Sequence, residues 1–167
     1  EENEKKRKEE QHESDLLITI DNDEKPLRIA HKYLNRTSTP SLCVHSDGLE
    51  VVEKVASVDN NRRSFDLVFV DANKMAYQSY FDSVVSGQLL RKGGLLVFDN
   101  AMGHRLLRHA QDDDASVEDE RVRKRREKRY ARIVSSLNQL YTVINNDERV
   151  EMNMMGVRDG LAMVRQL

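Results

Sequence analysis

The chain has 167 residues, a formal charge of −2 from 27 basic and 29 acidic side chains, and one cysteine. That length allows one domain with a real core, and the near-neutral balance gives no sign of bulk nucleic-acid or membrane binding. A lone Cys43 excludes a disulfide framework and a thiolate zinc site, and no stretch approaches the roughly 20 apolar residues of a membrane-spanning helix.

Residues 1–15 are almost wholly charged or polar, too poor in apolar surface to order themselves, and read as a solvated loop or frayed helix. The opening Glu-Glu-Asn-Glu-Lys-Lys-Arg-Lys is no signal peptide, so a reducing, soluble compartment, the cytoplasm, is the expectation. Residues 16–167 are expected to form the folded domain. Leu16 to Ile20 is a short apolar strand ending at Asp21. A helix follows from about Glu24 to Leu34, with Leu27, Ala30, Tyr33 and Leu34 on its inner face and Pro26 tolerated in its first turn. Ser41 to His45 is a second strand, with Cys43 expected as a small buried hydrophobe, and it ends in Ser46-Asp47-Gly48. A helix from Leu49 to about Val58 should bury Val51, Val52 and Val55.

The most informative stretch runs from Phe65 to Asn100. Two apolar runs, Phe-Asp-Leu-Val-Phe-Val and Gly-Gly-Leu-Leu-Val-Phe, end abruptly in Asp71 and Asp99. Tyr77, Phe81, Val84, Val85 and Leu89 recur between them at helical spacing. This is a strand, a right-handed crossover helix and a parallel strand. With neighbouring strands about 4.8 Å apart, the two acids are expected to converge at the carboxyl end of the sheet, where open α/β sheets bind ligands. Asn100 follows at once. Two carboxylates and an amide make an all-oxygen donor set suited to Mg²⁺, Mn²⁺ or Ca²⁺ rather than zinc. Strand-ending aspartates also start turns and cap helices, so each acid alone has a purely structural explanation.

Gly103 to Val117 reads as a polar loop, in which His104 and His109 find no third ligand nearby. Asp112 to Glu120 carries six acids and Arg121 to Arg132 eight basic residues against one Glu. The bland reading is a solvated helix face with a favourable macrodipole and i,i+4 pairs; phosphate binding is the alternative. Tyr130 is the one aromatic in the basic run, so base stacking has little support and nucleic acid is not the favoured partner. A helix spans roughly Glu118 to Asn145, apolar at Ile133, Val134, Leu137, Leu140, Tyr141 and Ile144. Val150–Val157 and Leu161–Leu167 read as closing strands about an Arg158-Asp159-Gly160 turn. Strands alternating with helices and a final hairpin predict a doubly wound α/β domain.

Five pieces together resemble the cation-dependent O-methyltransferases that use S-adenosylmethionine, the group containing caffeoyl-CoA and catechol O-methyltransferases. They are Ile18–Asp23, Phe65–Lys74, Gly93–Asn100, Asn146–Glu151 and Asp159–Leu161, in family order. The resemblance implies a Rossmann-like class I methyltransferase fold: a mostly parallel sheet with a C-terminal antiparallel hairpin. It places Asp21 against the ribose hydroxyls of the cofactor, Asp47 near the adenine, and Asp71, Asp99 and Asn100 as divalent-metal ligands, with Asp71 also bordering the cofactor. Lys74 matches the lysine proposed as general base. The implied reaction is methyl transfer to a phenolic or catechol-type hydroxyl of a small molecule, with Mg²⁺ as the first choice of cation and a homodimer as the assembly.

Three departures accompany the match. Nothing before Leu16 resembles the family's first strand and glycine-rich turn, and the first glycine is Gly48. The strands at 16–20 and 65–70 are therefore expected to present unpaired edges. Among truncation, a partner segment filling the gap and a rearranged, catalytically inactive module binding an acidic partner or RNA, truncation is the favoured explanation. Asn73 stands where many relatives have Asp, and the stretch after Asn100 lacks the usual aromatic.

Overall fold

The structure, a computed structural model, describes residues 16–103 and 120–167. His104, His109, the acids of 112–119, the first residues of the expected long helix and the charged segment 1–15 lie outside the described residues. The described residues form two compact units that divide between Val51 and Val52, inside helix α2 (Gly48–Ala56). No helix among the described residues is long and apolar enough to cross a membrane.

In the first unit, β1 (Leu17–Asp21) pairs in parallel with β2 (Ser41–His45), from Leu17↔Ser41 to Asp21↔His45. Helix α1 (Glu24–Leu34) joins them. Asp23 caps it by accepting from the Lys25 N–H at 2.9 Å, Glu24 adds a favourable charge to the first turn, and Asn35 closes it. Leu27 is its buried anchor. Tyr33, expected inside, is 58% exposed, with the Arg36 guanidinium 5.2 Å from its ring centre. Val51 in α2 is only half-buried, as are Val52 and Val55, which belong to the second unit; the burial expected of these three is incomplete. Cys43 is likewise half-buried.

The second unit is a four-stranded sheet in the order β3-β4-β6-β5. β3 (Phe65–Val70) pairs in parallel with β4 (Leu90–Asp99), and β6 (Leu161–Gln166) runs antiparallel to both β4 and β5 (Val150–Met155). The crossover helix α3 (Tyr77–Ser86) ends before Leu89, which is buried in the connection instead. β4 starts three residues earlier than Gly93, because a bulge at Lys92-Gly93-Gly94 shifts the register from Phe65↔Leu90 to Leu67↔Leu95. Gly93 takes φ +81° there, and a side chain on Gly94 would press on the carbonyls of Phe65 and Asp66 at 3.2 Å.

Alternation along β4 and β6 puts Leu96, Phe98, Ala162 and Val164 on one face, each 0% exposed. Tyr77 and Phe81 of α3 are buried with them, as are Leu137, Leu140 and Ile144 of the long helix α4 (Glu120–Asn145), spaced three or four apart. Each such Leu or Phe contributes about 1.5–3 kcal/mol by leaving water. Among the described residues β1 pairs only with β2 and β3 only with β4, so each leaves one edge unpaired. Leu67 and Phe69 on β3 are 55% and 57% exposed.

Candidate functional site

The register Val70↔Phe98 brings the two apolar runs to a common end, so Asp71 and Asp99 leave adjacent parallel strands at the same edge. Tyr77, the first residue of α3 and fully buried, secures that end. Its hydroxyl donates to the Asp99 carbonyl at 2.8 Å and lies 3.2 Å from the Val70 carbonyl, while its ring packs on Phe98 at 4.8 Å. Burial first, and then the negative charge of Asp71, push the phenol well above its ordinary pKa and keep it a donor. Sequence reasoning used Tyr77 only as part of an apolar stripe. The available signal was a tyrosine where a phenylalanine would fill the same space, since a buried hydroxyl needs a partner.

Lys74 reaches back to Asp71, Nζ to Oδ1 at 3.1 Å, with its ammonium 5.5 Å from the Tyr77 ring centre. The lysine side chain is 18% exposed and the aspartate 56%. Lys74 opens a short 3₁₀ turn to Ala76, and Asn73 caps that turn by accepting from the Met75 N–H at 3.2 Å. Asn73 therefore does the capping work of an aspartate without adding charge beside Asp71.

Asp99 accepts from the Asn100 N–H at 2.8 Å, and Asn100 takes the left-handed conformation at φ +51°. Beyond it, the Ala101 and Met102 N–H groups donate to the carbonyls of Gly160 and Asp159 at 2.8 and 2.7 Å. From the other side the Tyr141 hydroxyl of α4 donates to the Ala101 carbonyl, and burial pushes that phenol up to about 12. The segment carrying Asp99 and Asn100 is thus held by β3, the β5–β6 loop and α4. No group of three or more His, Cys, Asp or Glu that could hold a metal occurs among the described residues. The chemistry of Asp71, Asp99 and Asn100 nevertheless fits a hard divalent cation, with water completing its shell.

Asp21 and Asp47 lie together at the carboxyl end of the two-stranded sheet. Asp21 closes β1 and accepts from the Asp23 N–H at 2.8 Å through Oδ1. Asp47 follows β2 and caps α2, its Oδ1 accepting from the N–H groups of Leu49 and Glu50 at 2.9 and 3.1 Å. Each carboxylate keeps Oδ2 without a hydrogen bond to any described residue. A separate open cavity of about 320 Å³ in this unit is lined by Leu27, His31, Cys43 and His45 among others, and includes none of the predicted site residues.

A family model described as O-methyltransferase matches residues 11–167. The chain is 36% identical over 110 residues to the Dictyostelium discoideum protein named "Probable caffeoyl-CoA O-methyltransferase 3", covering 64% of this chain and 41% of the relative. It is 27% identical over 109 residues to a caffeoyl-CoA O-methyltransferase of Populus kitakamiensis, covering 65% and 41%. The S-adenosylhomocysteine-bound methyltransferase PaMTH1 of Podospora anserina superposes with a TM-score of 0.63 at 20% identity, over 90% of this chain and 60% of that one. A Corynebacterium glutamicum protein superposes with a TM-score of 0.64 at 19% identity over the same shares. The chain spans about two fifths of the length of these two curated relatives.

Proposed function

The chain belongs to the O-methyltransferase family, and from that membership we propose that it carries out S-adenosylmethionine-dependent methyl transfer to a phenolic or catechol-type hydroxyl of a small molecule, assisted by a divalent cation. The observation that carries this reading is the meeting of Asp71, Lys74 and Asp99 at one end of two adjacent parallel strands. The names of the matched relatives, caffeoyl-CoA O-methyltransferases, agree with such an acceptor.

When bound, S-adenosylmethionine supplies an electrophilic methyl group and a cation such as Mg²⁺ supplies positive charge that favours an ionised acceptor oxygen. Asp71, Asp99 and Asn100 are the residues that would hold the cation. Lys74 is the candidate general base, whose Nζ would take the acceptor's hydroxyl proton. Asp21, with one carboxylate oxygen free, would accept from the ribose hydroxyls, and Asp47 would serve the adenine side. Tyr77 keeps the two acid-bearing strand ends from drifting apart, which protects the alignment on which in-line transfer depends.

The test is calorimetric titration of S-adenosylmethionine into the 167-residue chain and into a version extended upstream, with and without Mg²⁺, followed by transfer of a labelled methyl group to catechol. Saturable uptake by the extended version, and transfer abolished by EDTA and by Asp99→Ala, is the expected result. No uptake by either version would reject the enzymatic reading and leave a methyltransferase-like binding module. Transfer indifferent to EDTA would remove the cation from it.

A further inference from the structure

The first half of α4 has no role in the core. From Glu120 to Arg132 every residue is exposed except the half-buried Arg126 and Tyr130. The buried side of the helix is set further along, by Leu137, Leu140 and Ile144. At about 100° per residue, Arg121, Arg125, Lys128, Arg129 and Arg132 fall within about 100° of arc, beside the strip of those apolar residues, with Arg129 about 20° from Leu140. The two acids of this stretch lie outside that arc: Glu120 pairs with Lys124 at 2.7 Å and Glu127 with Arg123 at 3.8 Å. Arg125, Lys128, Arg129 and Arg132 make no ion pair with any described residue. The result is a cationic rail about 16 Å long with five charges over about three 5.4 Å turns.

We propose that this rail docks on the phosphate backbone of duplex DNA. Regularly spaced cations held on a rigid helix complement a line of phosphates and release its condensed counterions. The absence of an exposed aromatic from the rail disfavours single strands, which are gripped by base stacking. Val122 is the one exposed large hydrophobe in this stretch, too little apolar surface to sink into a bilayer. The major groove of B-DNA, about 12 Å wide, admits a helix of this girth, whereas the narrow major groove of A-form RNA does not. The contact would read backbone and shape rather than base sequence. It is independent of methyl transfer.

Fluorescence anisotropy with the 167-residue chain and a labelled 24-base-pair DNA duplex tests this. Parallel arms use the same sequence as duplex RNA and as single strands, vesicles containing phosphatidylserine, and polyglutamate. The expected result is DNA binding that weakens about 150-fold between 50 and 200 mM salt, as about four phosphate contacts require. Arg125→Gln, Lys128→Gln, Arg129→Gln and Arg132→Gln combined should remove most of that log–log slope of about 3.6. Glutamine keeps good helix propensity, and an unchanged far-ultraviolet circular dichroism spectrum confirms that α4 persists. The proposal is overturned if no binding occurs, if the fourfold variant keeps the parent slope, or if RNA, vesicles or polyglutamate bind as tightly as the DNA duplex at equal salt.

Discussion

Tyr77 and Asp99 are 22 residues apart, yet the tyrosine hydroxyl donates to the aspartate's carbonyl oxygen at 2.8 Å. The same hydroxyl lies 3.2 Å from the carbonyl of Val70, the residue before Asp71. Tyr77→Phe removes this tie while keeping the ring against Phe98. The expected loss of stability is about 1–2 kcal/mol, since buried carbonyls lose their donor, measured from the urea unfolding midpoint. Methyl transfer should fall about ten- to a hundredfold, because the two acid-bearing ends are no longer aligned.

Lys74→Gln separates the chemistry from the fold. The Asp71 partner is 56% exposed, so the ion pair adds little to stability and the melting temperature should stay close to that of the parent. If Lys74 takes the acceptor proton, kcat falls by about two to four orders of magnitude with KM for S-adenosylmethionine nearly unchanged. A variant with full kcat would remove Lys74 from the mechanism.

Alkaline pH should weaken the second unit through its two buried phenols. Both have folded-state pKa values raised above the unfolded value of 10, Tyr141 to about 12 and Tyr77 further, chiefly by burial. The folded state then holds protons that the unfolded chain gives up. Stability is fully present below pH 10 and falls as pH rises through the folded values. Thermal melts between pH 8 and 11.5 should show this decline, and Tyr141→Phe should make it shallower.

Two glycines with positive φ should respond unequally to alanine. Gly93, at φ +81°, has nothing within 4 Å of an added methyl, so Gly93→Ala costs only the left-handed backbone, about 1 kcal/mol. Gly160, at φ +88°, would in addition drive its methyl against Met102, whose Cβ and N lie at 2.9 and 3.0 Å. Gly160→Ala should cost about 2–4 kcal/mol. Because Met102 and Ala101 follow the Asp99 strand end, methyl transfer should fall with it. Denaturant midpoints of the two variants check the order.

Much of the candidate site was legible in the chain because its signals are local. An apolar β-branched run stopping at an acid, twice, with a helical period between, specifies two parallel strands whose ends carry Asp71 and Asp99. Lys74 follows Asp71 closely enough for one short turn to bring them together. Tyr33 was misread for the converse reason. Its spacing suits the inner face of α1, but the ring is exposed with a cation one turn away, and helical period does not register that.

The sequence by itself determined the alternation of strands and helices and the acids at the strand ends, because period and composition are properties of consecutive residues. Only the tertiary structure decided the rest: the β3-β4-β6-β5 order, the bulge at Lys92-Gly93-Gly94, the grip of Tyr77 and Tyr141 on carbonyls 7 to 40 residues away, and the solvent-facing rail on α4. Those features depend on which distant backbone groups each donor meets and on which side of a helix the core covers. Burial and pairing between remote segments set both, and no local pattern of residues specifies them.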